Sequence, residues 1–341
     1  GLAFAVGLRR LPRLVRTRPF RSMWDELGRY FDDPRLRQLF GRYATYCGSS
    51  PFDSPATLML IAHAERAGVW LVNGGMQRLA EALADALSGF GATIRYGEEV
   101  ERIATRSGRV SGVELADGNA IAADAVVFNG DVAALAKGLL GDDVSTAVPQ
   151  RPNEARSLSA VTLSLAARTR GFPLDHHTVF FGDDYEAEFD ALFREGRVPD
   201  DPTVYVCAQD RGEGRETRAG ETERLFVLVN APPLPAAGGG EGSQHALAQL
   251  ERHGLILESA SSARVVSTPA DFDARFPGSD GAIYGWPTHG WSGSFRRVGS
   301  RSRCPGLYLA GGTVHPGPGV PMAAISGRLA AASVAADLGG A

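Results

Sequence analysis

One segment combines residue types that suit close contact with a flat ligand. It follows the apolar run 307–310 and reads Gly311-Gly312-Thr313-Val314-His315-Pro316-Gly317-Pro318-Gly319-Val320-Pro321-Met322. Pro321 suits the first turn of a helix, where free backbone N–H groups and the helix dipole favour an anion or a carbonyl that becomes negative. Gly317 and Gly319 let a flat ligand approach the backbone. The segment is either a binding loop for such a ligand or a structural glycine turn before a helix, and both interpretations stay open at this point.

A flavin ring has the chemistry that such a loop would serve. Its N1–C2=O edge gains negative charge on reduction, and fixed backbone dipoles stabilise that charge. His289 and His315 flank the loop and are either hydrogen-bonding loop residues or acid/base groups. Because a proton leaves when hydrogens are removed from carbon, His315 is the candidate base. Three aromatic residues, Trp286, Trp291 and Phe295, are either substrate-binding walls or plain core.

Other catalytic classes have little support. The pair His176-His177 has no cysteine or carboxylate at ligand spacing in the sequence, so no metal is predicted. Ser294 does not lie in a G-x-S-x-G elbow, which argues against acyl transfer. Cys47, Cys207 and Cys304 are too far apart for a disulfide framework, and they indicate a reducing, cytoplasmic compartment.

The elements that would position this loop alternate between two patterns. One pattern is α/β: a helix from Met76 to about Leu87, a strand "ATIRY" at 92–96, an Asp117-Gly118 hairpin and a buried run Ala125–Phe128. The strand Leu307–Ala310 and a helix from Pro321 to about Leu338 complete this pattern.

The second pattern is helical at first and then rich in strands. Asp33-Pro34 and Ser54-Pro55 predict helix starts, and 157–231 predicts several strands. Ser243 is predicted to cap a helix that runs to about His253. A helix is also predicted over Leu2–Leu14.

Four segments carry a resemblance to a known family. "LYLAGGTVHPGPGVPMAAISG" resembles the C-terminal flavin motif of carotenoid desaturases of the phytoene-desaturase type, and "NGGMQRLAEALADAL" with "DAVVFNGDVAAL" is similar to their central region. "GAIYGWPTHGWSGSFRRVGSRSRCPGLYLAGG" looks most like one branch, the hydroxyneurosporene desaturases, also called methoxyneurosporene dehydrogenases. The resemblance covers essentially the whole chain.

The resemblance implies an FAD enzyme that removes two hydrogens from a hydroxylated or methoxylated acyclic carotene. It implies a partial glutathione-reductase-like α/β FAD-binding domain (73–143 and 284–341) interleaved with an α+β substrate domain (1–72 and 144–283). The implied cofactor-binding residues are Val100, whose backbone would edge the adenine, and Gly311, Gly312, Gly317, Gly319, Val320, Pro321 and Met322. The implied substrate residues are Trp286, His289, Trp291 and Phe295.

The same resemblance also implies a strand–G-x-G-x-x-G–helix unit that seats the FAD pyrophosphate, and this unit is missing. "GPGVPM" has Met322 where the last glycine belongs, and neither "GEGRET" nor "GGGEGS" fits the pattern. We therefore expect the chain to correspond to a family member without its first hundred or so residues, a length of about one βαβ unit and more.

Charge bears on the partners. The formal net charge of -4 gives no sign of a nucleic-acid partner, but the segment from Gly1 to Trp24 has six arginines and no acid. This segment either lies on an anionic membrane surface, which suits a carotene, or forms a helix with a solvated arginine face. No apolar run reaches transmembrane length, so a peripheral position on the cytoplasmic membrane is expected.

The sequence leaves three functional hypotheses. The first is a flavin-dependent carotenoid desaturase, acting as a 1-hydroxycarotenoid 3,4-desaturase and present here as a partial chain. The second is another flavoprotein of the amine-oxidase superfamily, which "HPGPGVP" argues against. The third is a remnant that binds an apolar polyene without turnover, which the missing phosphate loop supports.

Overall fold

The structure is a computed structural model that describes residues 18–151, 155–212, 221–234, 239–258 and 263–339. The helix predicted over Leu2–Leu14 and most of the arginine-rich segment lie outside the described residues. Part of the proline- and glycine-rich loop 232–243 does so as well.

The described part of the chain is a mixture of helices and strands. The helices are α1 (Met23–Leu27), α2 (Pro34–Gly41), α3 (Leu60–Glu65), α4 (Gln77–Gly89), α5 (Val132–Ala136), α6 (Asp142–Ser145), α7 (Tyr185–Asp190), α8 (Gly239–Arg252), α9 (Pro269–Arg275) and α10 (Val320–Leu338). The strands are β1 (Val100–Arg106), β2 (Arg109–Leu115), β3 (Ala120–Ala122), β4 (Val126–Phe128), β5 (Ser159–Gly171), β6 (His177–Phe180), β7 (Val204–Ala208), β8 (Glu223–Ala231), β9 (Leu255–Glu258), β10 (Arg264–Ser267) and β11 (Leu307–Leu309).

The largest sheet is antiparallel and has the strand order β10-β5-β8-β7-β6, with β9 paired to the end of β5. Along β7 and much of β5 and β8, fully buried side chains alternate with less buried ones, and helix α8 packs against β5, β7 and β8. Burial of Leu163, Val227 and Leu250 shows where this core lies. The strands predicted within 157–231 are confirmed, whereas α7 was not expected.

A second region joins parts of the chain that are distant in sequence. Strands β1, β2 and β3 form an antiparallel sheet, and β4 pairs in parallel with β11, with Leu307 opposite Val126 and Leu309 opposite Phe128. Ile103 of β1, Leu307 of β11 and Val314 of the glycine loop share one apolar core. The expected meeting of the central and C-terminal α/β segments is therefore confirmed.

The helix starts predicted at prolines have different outcomes. Asp33 caps α2 by accepting a hydrogen bond from the backbone N–H of Arg35, with Pro34 at the first position, as predicted. After Pro55 the chain makes a 3₁₀ turn over Ala56–Met59 before α3, without a side-chain cap. The predicted cap at Ser243 is wrong, since α8 begins at Gly239 and Ser243 lies inside it.

Two predictions about strands also need correction. The segment 92–96 is not a strand, and within the described residues no strand pairs with it. Strand 125–128 was expected to be buried, yet Val127 of β4 is 47% exposed. A strand needs a hydrogen-bonded neighbour and a covering layer: among the described residues, 92–96 has no strand partner, and β4 is paired with β11 but Val127 has no layer that covers it.

Candidate functional site

The glycine loop begins where β11 ends. The backbone N–H of Ala310 donates to the carbonyl of Phe128 over 3.0 Å, which continues the pairing with β4. The N–H of Gly311 donates to Ser326 Oγ of α10 over 3.1 Å. Gly311 has a φ of +112°, and a Cβ there would lie 2.6 Å from Asn129 Oδ1. Only glycine fits this position, because the loop turns here against the end of the neighbouring strand.

The Arg297 side chain contacts the middle of the glycine loop. Its Nη1 donates to the carbonyls of Tyr284 and Gly312 over 3.1 and 3.2 Å, and its Nη2 donates to the carbonyl of Trp286 over 3.2 Å. A Cβ at Gly317 would lie 3.3 Å from Arg297 Nε. Burial lowers the pKa of Arg297 from its ordinary value. The guanidinium fork thus binds three carbonyls and joins the segment 284–286 to the glycine loop, which a lysine ammonium could not do in the same geometry.

Helix α10 starts at an open position. Its N-cap, Gly319, has a φ of +104°, makes no side-chain cap bond, and would place a Cβ in open space. Val320 and Met322 in the first turn are 54% and 38% exposed, and Pro321 is exposed as well. The first-turn N–H groups of a helix have no partner within the helix, so this end offers donors and space together. The geometry fits a flat, electron-accepting ring seated against Gly319.

The remaining predicted residues occupy more varied settings. Val100 is exposed at the start of β1, and β1 shares its core with β11. His315 has an exposed side chain, while its backbone N–H donates to the carbonyl of Val298 over 2.8 Å. His289 is partly buried, and its Nε2 accepts a hydrogen bond of 3.1 Å from the backbone N–H of Ser50.

The aromatic candidates do not form one wall. Trp286 lies between the guanidinium groups of Arg151 and Arg156, whose Cζ atoms are 5.0 and 4.8 Å from its ring centre. Trp291 is exposed and contacts Phe20, with 5.6 Å between ring centres. Phe295 is also exposed. The structure therefore separates a cation-flanked indole near the loop from an exposed aromatic surface.

Sequence reasoning missed the residues that support the loop. Asp131 caps α5 and forms a buried ion pair with Arg156, and the Nε of Arg156 donates to the carbonyl of Ser279 over 3.2 Å. Arg156 thereby links the end of β4 to the segment that carries Trp286. These roles depend on contacts between distant segments, so residue spacing gives no signal for them.

A family profile described as "Flavin containing amine oxidoreductase" matches residues 13–228. The chain belongs to this family. Membership of this family supports FAD as the cofactor. The α/β flavin-binding fold class expected from the sequence is confirmed.

Curated relatives make the resemblance finer. The chain is 51% identical to a hydroxyneurosporene desaturase of Rubrivivax gelatinosus over 98% of its own length and 64% of the relative's. It is 46% identical to the hydroxyneurosporene desaturase of Cereibacter sphaeroides, over 91% of this chain and 62% of that one. The expected resemblance to carotenoid desaturases is confirmed, and the chain spans just under two thirds of the length of these relatives.

Solved structures agree on the fold. An oxidoreductase from Methanosarcina mazei aligns with a TM-score of 0.55 at 16% identity, covering 96% of this chain and 71% of that one. A putrescine oxidase bound to putrescine aligns with a TM-score of 0.54 at 16% identity, covering 94% and 69%. At such identities the likeness concerns the fold and not the substrate.

Proposed function

We propose that this chain forms most of an FAD-dependent desaturase that removes two hydrogens from hydroxylated or methoxylated acyclic carotenes, as a 1-hydroxycarotenoid 3,4-desaturase. The observation that carries the proposal is the open, glycine-capped start of α10 directly after β11, in a chain 43–51% identical to three hydroxyneurosporene desaturases. A relative from a Flavobacterium species, named a 1-hydroxycarotenoid 3,4-desaturase, is 29% identical over 90% of the chain.

Each loop residue has a proposed task. FAD, when bound, supplies a two-electron acceptor for hydride. The free N–H groups of the first turn of α10 would stabilise negative charge that develops on the flavin, and the open space at Gly319 would admit the ring. Arg297 fixes the carbonyl of Gly312 and so keeps the loop in one conformation. The exposed His315 imidazole is the proposed acceptor of the proton that leaves the carotene.

The domain division is proposed with the same boundaries as above. Residues 73–143 and 284–341 would form the FAD-binding part, and 1–72 with 144–283 would form the substrate part. The parallel pairing of β4 with β11 supports the first grouping. The antiparallel sheet built around β5 and β8 supports the second.

We also propose a peripheral position on the cytoplasmic face of a membrane. No helix among the described residues has the length and apolar character needed to span a bilayer. Phe20, which lies within the arginine-rich sequence, is exposed and contacts the exposed Trp291, with 5.6 Å between ring centres. Arginine attracts anionic lipid, and aromatic rings favour the interface, so this surface would bring the protein to its apolar substrate.

A chimera tests the proposed activity. The segment of the Rubrivivax gelatinosus desaturase that has no counterpart here is joined ahead of Gly1, and a hydroxylated acyclic carotene is supplied in vesicles. We expect FAD reduction in the absence of another acceptor, and a product with one more conjugated double bond. Anionic vesicles should support faster turnover than neutral ones.

Two outcomes would contradict the proposal in different ways. A folded, FAD-loaded chimera that forms no product would reject the substrate class. Turnover that is equal in anionic and neutral vesicles would reject the membrane surface and leave the activity standing.

The structure also bears on the non-catalytic alternative. The loop combines glycines at positive φ (Gly311, Gly317 and Gly319) with the three-carbonyl contact of Arg297. Their presence favours a loop shaped for a cofactor, and the relatives named as desaturases favour turnover over mere polyene binding.

A further inference from the structure

A cluster of nitrogen and sulfur donors lies on the large sheet, apart from the glycine loop. His176, His177 and Cys207 each place a potential ligand atom within 4.8 Å of the others. Cys207 is distant in sequence from the two consecutive histidines, but it lies directly opposite His177 in the pairing of β6 with β7. The β6–β7 pairing therefore brings Cys207 next to the two histidines, which residue spacing in the sequence did not indicate.

The two imidazole rings are oriented by contacts through the same nitrogen. Nδ1 of His176 bonds the backbone carbonyl of Arg211, and Nδ1 of His177 lies 2.8 Å from the hydroxyl of Tyr205. Each ring therefore keeps Nε2 for another partner. Nε2 of His176 is 3.8 Å from Sγ of Cys207. Holding one ring nitrogen through a carbonyl or hydroxyl is the usual way in which proteins orient a metal-binding histidine.

Hydrogen bonds within the large sheet fix the residues that contact His176. The carbonyl of His176 accepts a hydrogen bond of 2.9 Å from the N–H of Ala208, which extends the β6–β7 pairing. The carbonyl of Arg211 contacts Nδ1 of His176, and the Arg211 side chain donates from Nε and Nη2 to Glu223 over 2.7 Å each. Glu223 is buried in β8. The donor cluster is therefore built on the sheet and not on a free surface loop.

Access and chemistry are both suitable for an ion. His177 is exposed, and β6 is the last strand in the order β10-β5-β8-β7-β6, so the cluster opens at the sheet edge. The neutral imidazole is the form that binds a metal. Two imidazole nitrogens and one thiolate suit Zn²⁺ and similar borderline-soft ions better than Mg²⁺ or Ca²⁺.

We propose that His176, His177 and Cys207 form a three-ligand site for a borderline-soft ion such as Zn²⁺, with water as the fourth ligand. Ion–ligand lengths of about 2.0 Å to nitrogen and 2.3 Å to sulfur require the donors to close in by about 1 Å, which rotation of the exposed His177 side chain supplies. Binding forms one metal–sulfur and two metal–nitrogen bonds and releases the thiol proton to solvent. No electron is transferred. The ion would fasten the edge strand β6 to β7.

Cobalt titration of the purified 341-residue chain tests this site. Co²⁺ replaces Zn²⁺ in tetrahedral sites, and its bond to a thiolate gives a charge-transfer band in the near ultraviolet. We expect this band to saturate at one equivalent and to disappear when Zn²⁺ is added. Cys207→Ser should remove the band. Loss of a hydrogen bond that only orients a metal ligand weakens metal binding by about 10–100-fold in other sites, and His177→Gln, which removes a ligand itself, should weaken Co²⁺ binding at least as much.

Matched variants separate this site from adventitious binding. Cys47→Ser and Cys304→Ser remove the other thiols and should leave the band unchanged. His177 is exposed, so His177→Gln should keep its far-ultraviolet circular dichroism and report on binding alone. A thiolate band that persists in Cys207→Ser, or the lack of any such band in the folded chain at millimolar Co²⁺, would overturn the proposal.

Discussion

Two glycines of the loop impose different demands on a side chain. Gly311 combines a positive φ with the contact to Asn129 Oδ1, whereas Gly319 combines a positive φ with open space. Gly311→Ala should therefore lower the free energy of unfolding by about 2–5 kcal/mol, because backbone strain and overpacking add. Gly319→Val should cost only the strain, about 1–3 kcal/mol. Urea unfolding of the chain measures both.

The same pair separates folding from cofactor binding. In the chimera described above, Gly319→Val should lose most of its flavin, because the side chain enters the space kept for the ring. Gly299→Ala is the matched control, since Gly299 is exposed, has ordinary backbone geometry and a Cβ there meets nothing. Full flavin content in a folded Gly319→Val chimera would show that the ring does not rest there.

His289 makes stability depend on pH. Burial lowers its pKa below the ordinary 6.5, and Nε2 accepts the N–H of Ser50, so the folded protein favours the neutral ring. Below about pH 6.5 the unfolded chain gains a proton that the folded chain resists, and stability falls as pH decreases. His289→Gln keeps an acceptor and should flatten this slope between pH 7 and 5, leaving the part due to His177, whose pKa is also lowered. An unchanged slope of unfolding free energy against pH would contradict this role.

At the scale of elements, the sequence predicts what local patterns determine. Asp33-Pro34, the Asp117-Gly118 turn and the helix around Leu79 and Leu83 follow from capping, turn chemistry and apolar spacing, and the structure has all three. The glycine loop was found because its residue types are unusual. Arg297 and Asp131 could not be found, because their importance arises only from contacts between distant segments.

The segment 92–96, which was wrongly predicted to be a strand, shows the limit of prediction from local sequence patterns. Its residues have strand propensity, but propensity cannot replace a hydrogen-bonded neighbour. Helix α4 before it exposes its apolar stripe, with Leu83 and Leu87 at 59% and 50%, and Phe90 and Tyr96 are also largely exposed. This face is what a covering strand and helix would bury, and the family resemblance implies such a unit.

Hydrogen exchange should detect the difference. In the chain as given, amides of 93–96 should exchange as fast as those of an unstructured peptide, while β5 and β8 in the large sheet stay protected. In the chimera, 93–96 should become protected by several orders of magnitude, because it gains a neighbouring strand. Equal, fast exchange of 93–96 in a folded chimera would mean that the added segment pairs elsewhere.

At the scale of the whole molecule, the region of the large sheet and the region around β4 and β11 differ in how well their strands are covered. The large sheet buries one apolar core against α8. In contrast, β4 and β11 form a two-stranded sheet in the described residues, and the helix that contacts β11, α10, is largely exposed. The first part would keep its fold without the cofactor. The second part carries the cofactor loop, so cofactor binding and sheet completion are coupled through β4 and β11.

The chain as given should therefore bind FAD weakly. It offers the glycine loop and the start of α10 to the flavin end, but its 341 residues contain no strand–G-x-G-x-x-G–helix unit for the pyrophosphate. Losing three or four charge-assisted hydrogen bonds, at about 1.5–3 kcal/mol each, removes at least three powers of ten in affinity. The outer edge of β4, which pairs with no strand among the described residues, should also favour association with a second copy. Fluorescence titration with FAD, combined with size-exclusion chromatography, measures both effects, and the chimera serves as the tight-binding reference. Stoichiometric, sub-micromolar FAD binding by a monomer of this chain would show that the loop and α10 alone suffice to hold the cofactor.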